Sequence, residues 1–166
     1  MILKSTQTTS LNSNTMTDLF NKLMPSKAED TQVQMAKSAA DSKKVQLTKI
    51  LSIASNIKAI HVKTRSYAKH MALDEAFDDL NESLDSFLEC VQGYYRRKLG
   101  HQLSLANQEV SFVLPGDDGV FDAIKELEDQ FKKASDGLVG DVSPLGSLQD
   151  DVLNCFYQLY YRLDLK

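Results

Sequence analysis

The sequence is poor in residues that interrupt or cross-link a chain. Among its 166 residues are 3 prolines, 7 glycines, 2 cysteines and no tryptophan. Two cysteines are too few for a disulfide-stabilised secreted scaffold, and Cys90 and Cys155 lie far apart among apolar neighbours. We therefore expect both to be buried, reduced thiols.

The sequence also lacks a long apolar run and a basic segment. No run approaches the roughly 20 apolar residues that a membrane-spanning helix needs, and the N-terminus lacks the apolar core of a signal peptide. These absences predict an intracellular, cytoplasmic protein without a membrane partner. The net charge is -4, from 19 basic and 23 acidic side chains. DNA binding is disfavoured, because it requires a concentrated basic face.

What the chain has instead is helical periodicity. Apolar residues recur at steps of three and four in four segments, each of which predicts an amphipathic helix. The predicted helices cover residues 41–62, 66–98, 118–135 and 143–166. The last of them has Ser143 as its cap and Pro144 at its first position, where proline favours a helix start.

The first 40 residues differ from the rest in being rich in Ser, Thr, Asn, Gln and Lys. They contain one apolar cluster at helical spacing, formed by Leu19, Phe20, Leu23 and Met24. Thr17 is its expected cap, and Pro25 ends it. This composition is typical of a flexible arm with one short amphipathic turn, and the turn could dock on a protein partner.

The connections predict how the helices are arranged. The link between the first two helices is short, whereas residues 99–119, with their Pro-Gly and Asp-Gly turn pairs, form a long crossover to the third. One long crossover is the ferritin-like arrangement of a four-helix bundle. We therefore predict an all-α chain with a flexible arm over residues 1–40 and a ferritin-like four-helix bundle over residues 41–166.

Four polar residues on the second predicted helix are candidate metal ligands. His70, Asp74, Asp85 and Glu89 form the spacing His-x3-Asp-x10-Asp-x3-Glu. At ~100° per residue they fall within an arc of about 100° that borders the apolar stripe. Imidazole and carboxylate groups are ligands of iron and other first-row metals.

The heights of these residues along the helix divide them into two pairs. His70 and Asp74 are one turn apart, as are Asp85 and Glu89, so each pair could share an ion. At ~1.5 Å per residue the two pairs are about 16 Å apart, too far to bind one ion together. An antiparallel second copy would bring opposite pairs together and generate two equivalent sites. We therefore predict a homo-oligomer with two-fold contacts along this helix.

The spacing resembles the ferroxidase motif of the Dps proteins, the DNA-protecting mini-ferritins of bacteria. That family places a further histidine at the end of the first helix, where this chain has His61. The resemblance implies that His61, His70 and Asp74 of one subunit bind iron together with Asp85 and Glu89 of its partner. The implied site holds one or two iron ions, oxidises Fe(II) and supports iron storage.

Two features depart from the Dps pattern. His61 precedes His70 by nine residues, three fewer than is usual in Dps, and Val62 stands where that family has an aromatic residue. The chain is more closely similar, over about residues 45–166, to Dps-like proteins of tailed bacteriophages. They share His-x2-Thr-x-Ser-Tyr-Ala-x-His-x-Ala-Leu, which runs from His61 to Leu73 here. This likeness implies a location in the host cytoplasm or the virion, and it implies the bundle but neither a closed shell nor DNA binding.

Simpler interpretations stand beside these. Seven of the sixteen positions from Asp74 to Glu89 are acidic, so a solvated face would also produce such a spacing. Other polar and aromatic residues are predicted to be an exposed loop residue (His101), a helix end that could also bind phosphate (Tyr94, Tyr95, Arg96, Arg97), and core or interface aromatics (Tyr157, Tyr160, Tyr161). The alternative function is a non-catalytic phage structural or interaction protein that keeps the bundle and docks through its N-terminal arm.

Overall fold

The computed structural model of the chain describes residues 27–107, 112 and 114–165. Its elements are α1 (Lys27–Lys63), α2 (Tyr67–Leu99), a 3-10 turn (Asp117–Gly119), α3 (Val120–Val139) and α4 (Ser143–Asp164). No strand occurs within the described ranges. The prediction of an all-α chain with four main helices is confirmed for these residues.

Helix α1 begins at Lys27 and not near Asp41, as predicted. Residues 27–40 contain no proline or glycine, and eight of the fourteen are Ala, Lys or Gln, which favour helices by their intrinsic propensity. They carry no apolar stripe. Because the predicted start depended on hydrophobic periodicity, it missed this polar part of the helix.

Contacts within the chain separate two compact units, Met1–Ala39 and Ala40–Lys166. The predicted amphipathic turn around Leu19 to Met24, with its cap and its stop, lies outside the described residues. The flexible arm over residues 1–40 stays a prediction, although residues 27–40 are helical. The core, the connections and the site described below all belong to the second unit.

The core draws apolar side chains from all four helices. Phe131 on α3 joins three of them, because its ring lies 5.6 Å from that of Phe87 on α2 and 6.4 Å from that of Phe156 on α4. Burying one such side chain stabilises a fold by about 1.5–3 kcal/mol. Both cysteines are free, as predicted, but half-buried where full burial was expected. The largest fully buried side chains are Phe87, Phe131, Phe156, Leu47, Ile50, Ile53, Ile57, Ile60, Leu73, Leu80, Ile124 and Leu127.

The short connection between α1 and α2 is held by its own cap and by a distant carboxylate. Ser66 caps α2 by accepting a hydrogen bond from the Lys69 backbone N–H at 3.4 Å. Asp117, from the 3-10 turn, accepts hydrogen bonds from the Thr64 hydroxyl at 2.6 Å and from the Arg65 backbone N–H at 2.9 Å. These hydrogen bonds hold the connection between α1 and α2 in place.

The first part of the crossover is hydrogen-bonded to α1 and to α2. The Gln92 side-chain amide exchanges two hydrogen bonds of 2.9 Å with the backbone of Leu103, whose side chain is buried. The Ala106 backbone N–H donates to the Thr48 hydroxyl of α1 at 2.9 Å. The first part of the long connection is thus attached to both α1 and α2.

Helix α3 extends to Val139, beyond the end predicted near Ser135. It continues through Gly137, where the Gln46 side chain of α1 approaches so closely that a Cβ would lie 2.1 Å from its Nε2 atom. This glycine is therefore a packing residue and not a helix stop. Pro144 lies in the first turn of α4, as predicted, while the capping position is Val142 and not Ser143.

Helix α4 packs against both α2 and α3. Arg162 on α4 contacts two carboxylates on α2, with its Nη2 atom 3.2 Å from Glu75 Oε1 and 3.2 Å from Asp79 Oδ2. Both carboxylates are exposed, as expected for a solvated face, and they also contact α4.

Candidate functional site

Two histidines from adjoining helices meet at the α1–α2 corner. His61 lies in the last turn of α1 and is buried, whereas His70 lies in the first turn of α2 and is half-buried. Their Nε2 atoms are 3.0 Å apart, and the ring centroids are 3.9 Å apart. Only three residues, 64–66, connect the two helices. A spacing of nine residues between His61 and His70 is therefore sufficient to bring the two imidazoles together.

The hydrogen bonds of the pair determine its tautomers. The Nδ1 atom of His70 lies 3.2 Å from the His61 carbonyl oxygen, which can only accept, so His70 carries its proton on Nδ1. In the neutral pair, His70 Nε2 is the acceptor and His61 Nε2 is the donor between the rings. The Nδ1 atom of His61 is buried and has no hydrogen-bond partner among the described residues.

Asp74 and Lys58 complete the group on its solvent side. Asp74 lies one turn beyond His70 on α2, and its Oδ1 atom is 3.4 Å from His61 Nε2. The same oxygen lies 3.3 Å from the Lys58 ammonium, one turn before His61 on α1. That ammonium also lies over the Phe77 ring, 4.8 Å from its centroid. Asp74 is exposed, so the group can be reached from solvent.

Electrostatics keep His61 neutral. Burial lowers the pKa of His61 below its ordinary value of 6.5, and nearby His70 and Lys58 lower it further, against an opposing effect of Asp74. A neutral imidazole at neutral pH retains one nitrogen lone pair, which is the form that binds a metal ion.

Asp85 and Glu89 lie elsewhere on α2. Both are exposed and border a groove of about 400 Å³ whose apolar residues include Leu47, Leu51 and Leu88. The structure therefore brings together three of the five predicted ligands and leaves the other two apart, as the heights along the helix require. Within the described part of the chain, no set of three or more His, Cys, Asp or Glu side chains forms a group that could hold a metal ion.

Two residues that shape this corner were not singled out from the sequence. Lys58 has a helical signal, because it stands three residues before His61 and therefore on the same face of α1. Asp117 has none, since its sequence context, Pro-Gly-Asp-Asp-Gly, indicates only a turn. Hydrogen bonds from Thr64 and from the Arg65 backbone hold the pKa of Asp117 below its usual value.

The other residues singled out from the sequence lie either in the core or at the surface of the bundle. Tyr95 is buried and donates a hydrogen bond to the Leu138 carbonyl at 2.9 Å, which makes it a core residue. His101 is exposed. Tyr160 donates to the buried carboxylate of Glu128 at 2.6 Å, whereas Tyr157 and Tyr161 are exposed.

The described helices include none that is both long and apolar enough to cross a membrane. A protein-family profile described as a family of unknown function, DUF5856, matches residues 61–163. The chain is also similar to an uncharacterised 14.6 kDa protein of the mobD–ri intergenic region of Enterobacteria phage T4. The two are 30% identical over 118 residues, which are 70% of this chain and 84% of the phage protein. No solved structure matches the chain.

Proposed function

This chain belongs to the DUF5856 family, and we propose that it binds iron between two copies of itself, as a Dps-like protein of the ferritin-like superfamily. The matched region of the family begins at His61 and contains all five candidate ligands. Similarity to a phage T4 protein agrees with the phage relatives that the sequence pattern suggests.

One observation carries the proposal: three ligand-type atoms converge at the α1–α2 corner. His61 Nε2 lies 3.0 Å from His70 Nε2 and 3.4 Å from Asp74 Oδ1. Two atoms that bind one metal ion at ~2.0–2.2 Å are separated by about 3–3.5 Å when their bonds meet at ordinary coordination angles. Both distances fall in this range, although the three side chains of one copy do not by themselves form a group that could hold a metal ion.

The orientation of His70 supports the same assignment. An imidazole that binds a metal usually donates its other N–H to a carboxylate or a backbone carbonyl, which fixes the ring. His70 has this arrangement, since its Nδ1 faces the His61 carbonyl at 3.2 Å. His61 would bind through Nε2 after its proton moves to Nδ1, the buried atom that now lacks a partner.

The group of three is half a site, and a partner would supply the rest. Asp85 and Glu89 are exposed, one turn apart, and bonded to no other side chain within the described residues. They flank an apolar groove between α1 and α2. An antiparallel two-fold contact along α2 would place these carboxylates beside the histidines of the other copy.

Iron is the proposed metal, and Fe(II) is the proposed substrate of the protein. A mixed set of imidazole and carboxylate ligands suits iron, although other first-row metals accept it too. The Dps resemblance selects iron and adds the oxidation of bound Fe(II) by oxygen. The short α1–α2 connection, the long crossover and the packing of α4 on α2 and α3 are compatible with a ferritin-like bundle.

An anaerobic Fe(II) titration of the full chain tests the proposal. We expect saturable binding by the wild type and its loss in His70→Ala/Asp74→Ala, followed by faster Fe(II) oxidation by the wild type when oxygen is admitted. The matched control is Asp78→Ala/Glu82→Ala, which removes two exposed carboxylates from the same helix and should bind as the wild type does. Absence of stoichiometric binding, or equal binding by both double variants, would refute the proposal and favour a non-catalytic interaction protein.

A further inference from the structure

Besides the groove between α1 and α2, the structure has a positively charged groove between α1 and α3. It has a volume of about 450 Å³, and polar side chains line it from both helices: Ser42, Gln46 and Lys49 from α1, and Gln130 and Lys133 from α3. This volume is in the range of small-molecule sites. The groove contains none of the five candidate iron ligands, so it is independent of the proposed metal site.

The residues that line this groove carry a net positive charge. Its lining residues include two lysines and no carboxylate. The α1–α2 groove contains Asp85 and Glu89, and the pocket at the α3–α4 turn contains Asp141 beside two lysines. A groove that contains Lys58 and Lys63 also has no carboxylate among its described lining residues, but there Lys58 is paired with Asp74. In a chain with a net charge of -4, this groove concentrates positive charge.

The two lysines lack internal counterions. Within the described residues, neither Lys49 nor Lys133 has a carboxylate oxygen within 4.0 Å of its ammonium group, whereas Lys44, Lys58 and Lys132 each have one. Two like charges on opposite sides of one groove repel each other, and an anion between them would convert that repulsion into two charge-assisted hydrogen bonds.

The amide side chains add neutral hydrogen-bonding groups at a fixed place. Gln46 is held against Gly137, in space that a Cβ would occupy, and Gln130 is bonded to Glu126 at 3.3 Å. Two lysines are too few to grip a nucleic-acid backbone, which requires many phosphate contacts. A small dianion with room for an attached group fits the groove better.

We propose that the groove between α1 and α3 binds phosphate or a small phosphate monoester through Lys49 and Lys133. The lysines supply the charge, and the Gln46 and Gln130 amides and the Ser42 hydroxyl supply hydrogen bonds. Binding is electrostatic in the main, so it weakens as the salt concentration rises.

An NMR titration of the full-length protein with inorganic phosphate, at constant ionic strength, tests this inference. We expect saturable shifts of backbone amides in residues 42–49 and 130–134. Lys49→Gln/Lys133→Gln should weaken binding about tenfold or more. Lys63→Gln/Lys125→Gln is the matched control, because it removes one exposed lysine from each of the same two helices, and it should change the affinity by less than about twofold.

A parallel titration with glycerol 3-phosphate separates the two sources of the phosphate group. Tighter binding than that of inorganic phosphate assigns the groove to a phosphate monoester, and equal or weaker binding assigns it to free phosphate. The inference is overturned if neither probe saturates, if the shifts spread over all exposed lysines, or if both double variants weaken binding equally. It is also overturned if duplex DNA shifts these amides while phosphate does not.

Discussion

At the scale of single residues, an ion pair between Lys58 and Asp74 lies at the α1–α2 corner, where the proposed metal ion would bind. The Lys58 ammonium is 3.3 Å from Asp74 Oδ1, the same oxygen that lies 3.4 Å from His61 Nε2. A metal cation at this oxygen must replace the ammonium. Lys58 therefore competes with the proposed metal and neutralises the carboxylate in its absence.

Replacement of Lys58 by Gln should strengthen metal binding. Removing the competing ammonium and its repulsion of the cation should lower the dissociation constant for Fe(II) about two- to fivefold, as expected for one partly exposed ionic interaction. Anaerobic titration of Lys58→Gln beside the wild type measures this, with Lys63→Gln as the control. Weaker binding by Lys58→Gln would instead mean that Lys58 supports the site.

The lowered pKa of His61 predicts a dependence of stability on pH. Because the folded-state pKa lies below the ordinary value of 6.5, the folded chain binds fewer protons than the unfolded chain in the interval between the two values. The contribution of His61 to stability is therefore fully present above the unfolded-state pKa and is lost as the pH falls through that interval.

Urea denaturation of the wild type and of His61→Gln, at pH values from about 5 to about 7.5, measures this contribution. The free energy of unfolding of the wild type should fall more steeply toward acid pH than that of the variant. Parallel pH profiles for the two proteins would contradict the assignment of a neutral, buried His61.

At the scale of the elements, polar contacts determine how α3 meets its neighbours. Glu128 on α3 is only 5% exposed, and it is satisfied by the Tyr160 hydroxyl of α4 and by Lys132 on its own helix. Burial and the neighbouring Glu128 raise the pKa of Tyr160, so Tyr160 stays a donor at all ordinary pH values. The pair joins α3 to α4 by a charge-assisted hydrogen bond.

Loss of the Tyr160 hydroxyl should destabilise the bundle. Tyr160→Phe leaves a buried carboxylate with one partner fewer, which should cost about 1–3 kcal/mol in the free energy of unfolding. Tyr161→Phe is the control, because Tyr161 is 68% exposed, and it should be nearly neutral. Chemical denaturation of both variants decides, and equal stability would show that Glu128 finds other donors.

The end of the Gln46 side chain of α1 fills the space beside Gly137 on α3. Alanine is the better helix former by about 1 kcal/mol, but its Cβ would lie 2.1 Å from Gln46 Nε2. We expect Gly137→Ala to gain less of that stability in the wild type, where the Gln46 amide must move, than when Gln46 is also replaced by Ala. A double-mutant cycle of unfolding free energies measures the coupling, and additive effects would contradict the packing described here.

Some features of these helices could be predicted from the sequence, and others could not. Apolar periodicity located the buried faces of α2 and α4, because residues that are close in sequence determine each of these faces. It missed the start of α1 at Lys27, since residues 27–40 carry no apolar stripe, and it missed the passage of α3 through Gly137. The reason for that glycine is Gln46, on another helix, which local patterns do not encode.

At the scale of the whole molecule, the same distinction holds for the candidate site. Helical geometry alone predicted that His70 and Asp74 lie apart from Asp85 and Glu89, and the structure places them apart. The orientation of the His61 and His70 rings, the Lys58 ion pair and the Asp117 anchor depend on contacts between elements. The sequence pattern therefore indicated the side chains that meet at the α1–α2 corner but not the groups that hold them in place.

The proposed site is complete only in an assembly of two copies, because one chain supplies each half at a different height along α2. Neither half forms a metal-binding group by itself within the described residues. This dependence on a partner is the central claim of the proposed function, and single-chain variants alone cannot establish it.

Complementation between two inactive variants tests this claim most directly. His70→Ala/Asp74→Ala lacks the first half of the site, Asp85→Ala/Glu89→Ala lacks the second half, and each protein alone should bind no Fe(II) at the shared site. After the two are mixed and their subunits exchanged, each mixed dimer contains one intact site, so saturable anaerobic Fe(II) binding should return. A mixture that binds no iron although mixed dimers form, or an Asp85→Ala/Glu89→Ala protein that binds as tightly as the wild type, would contradict the two-copy site.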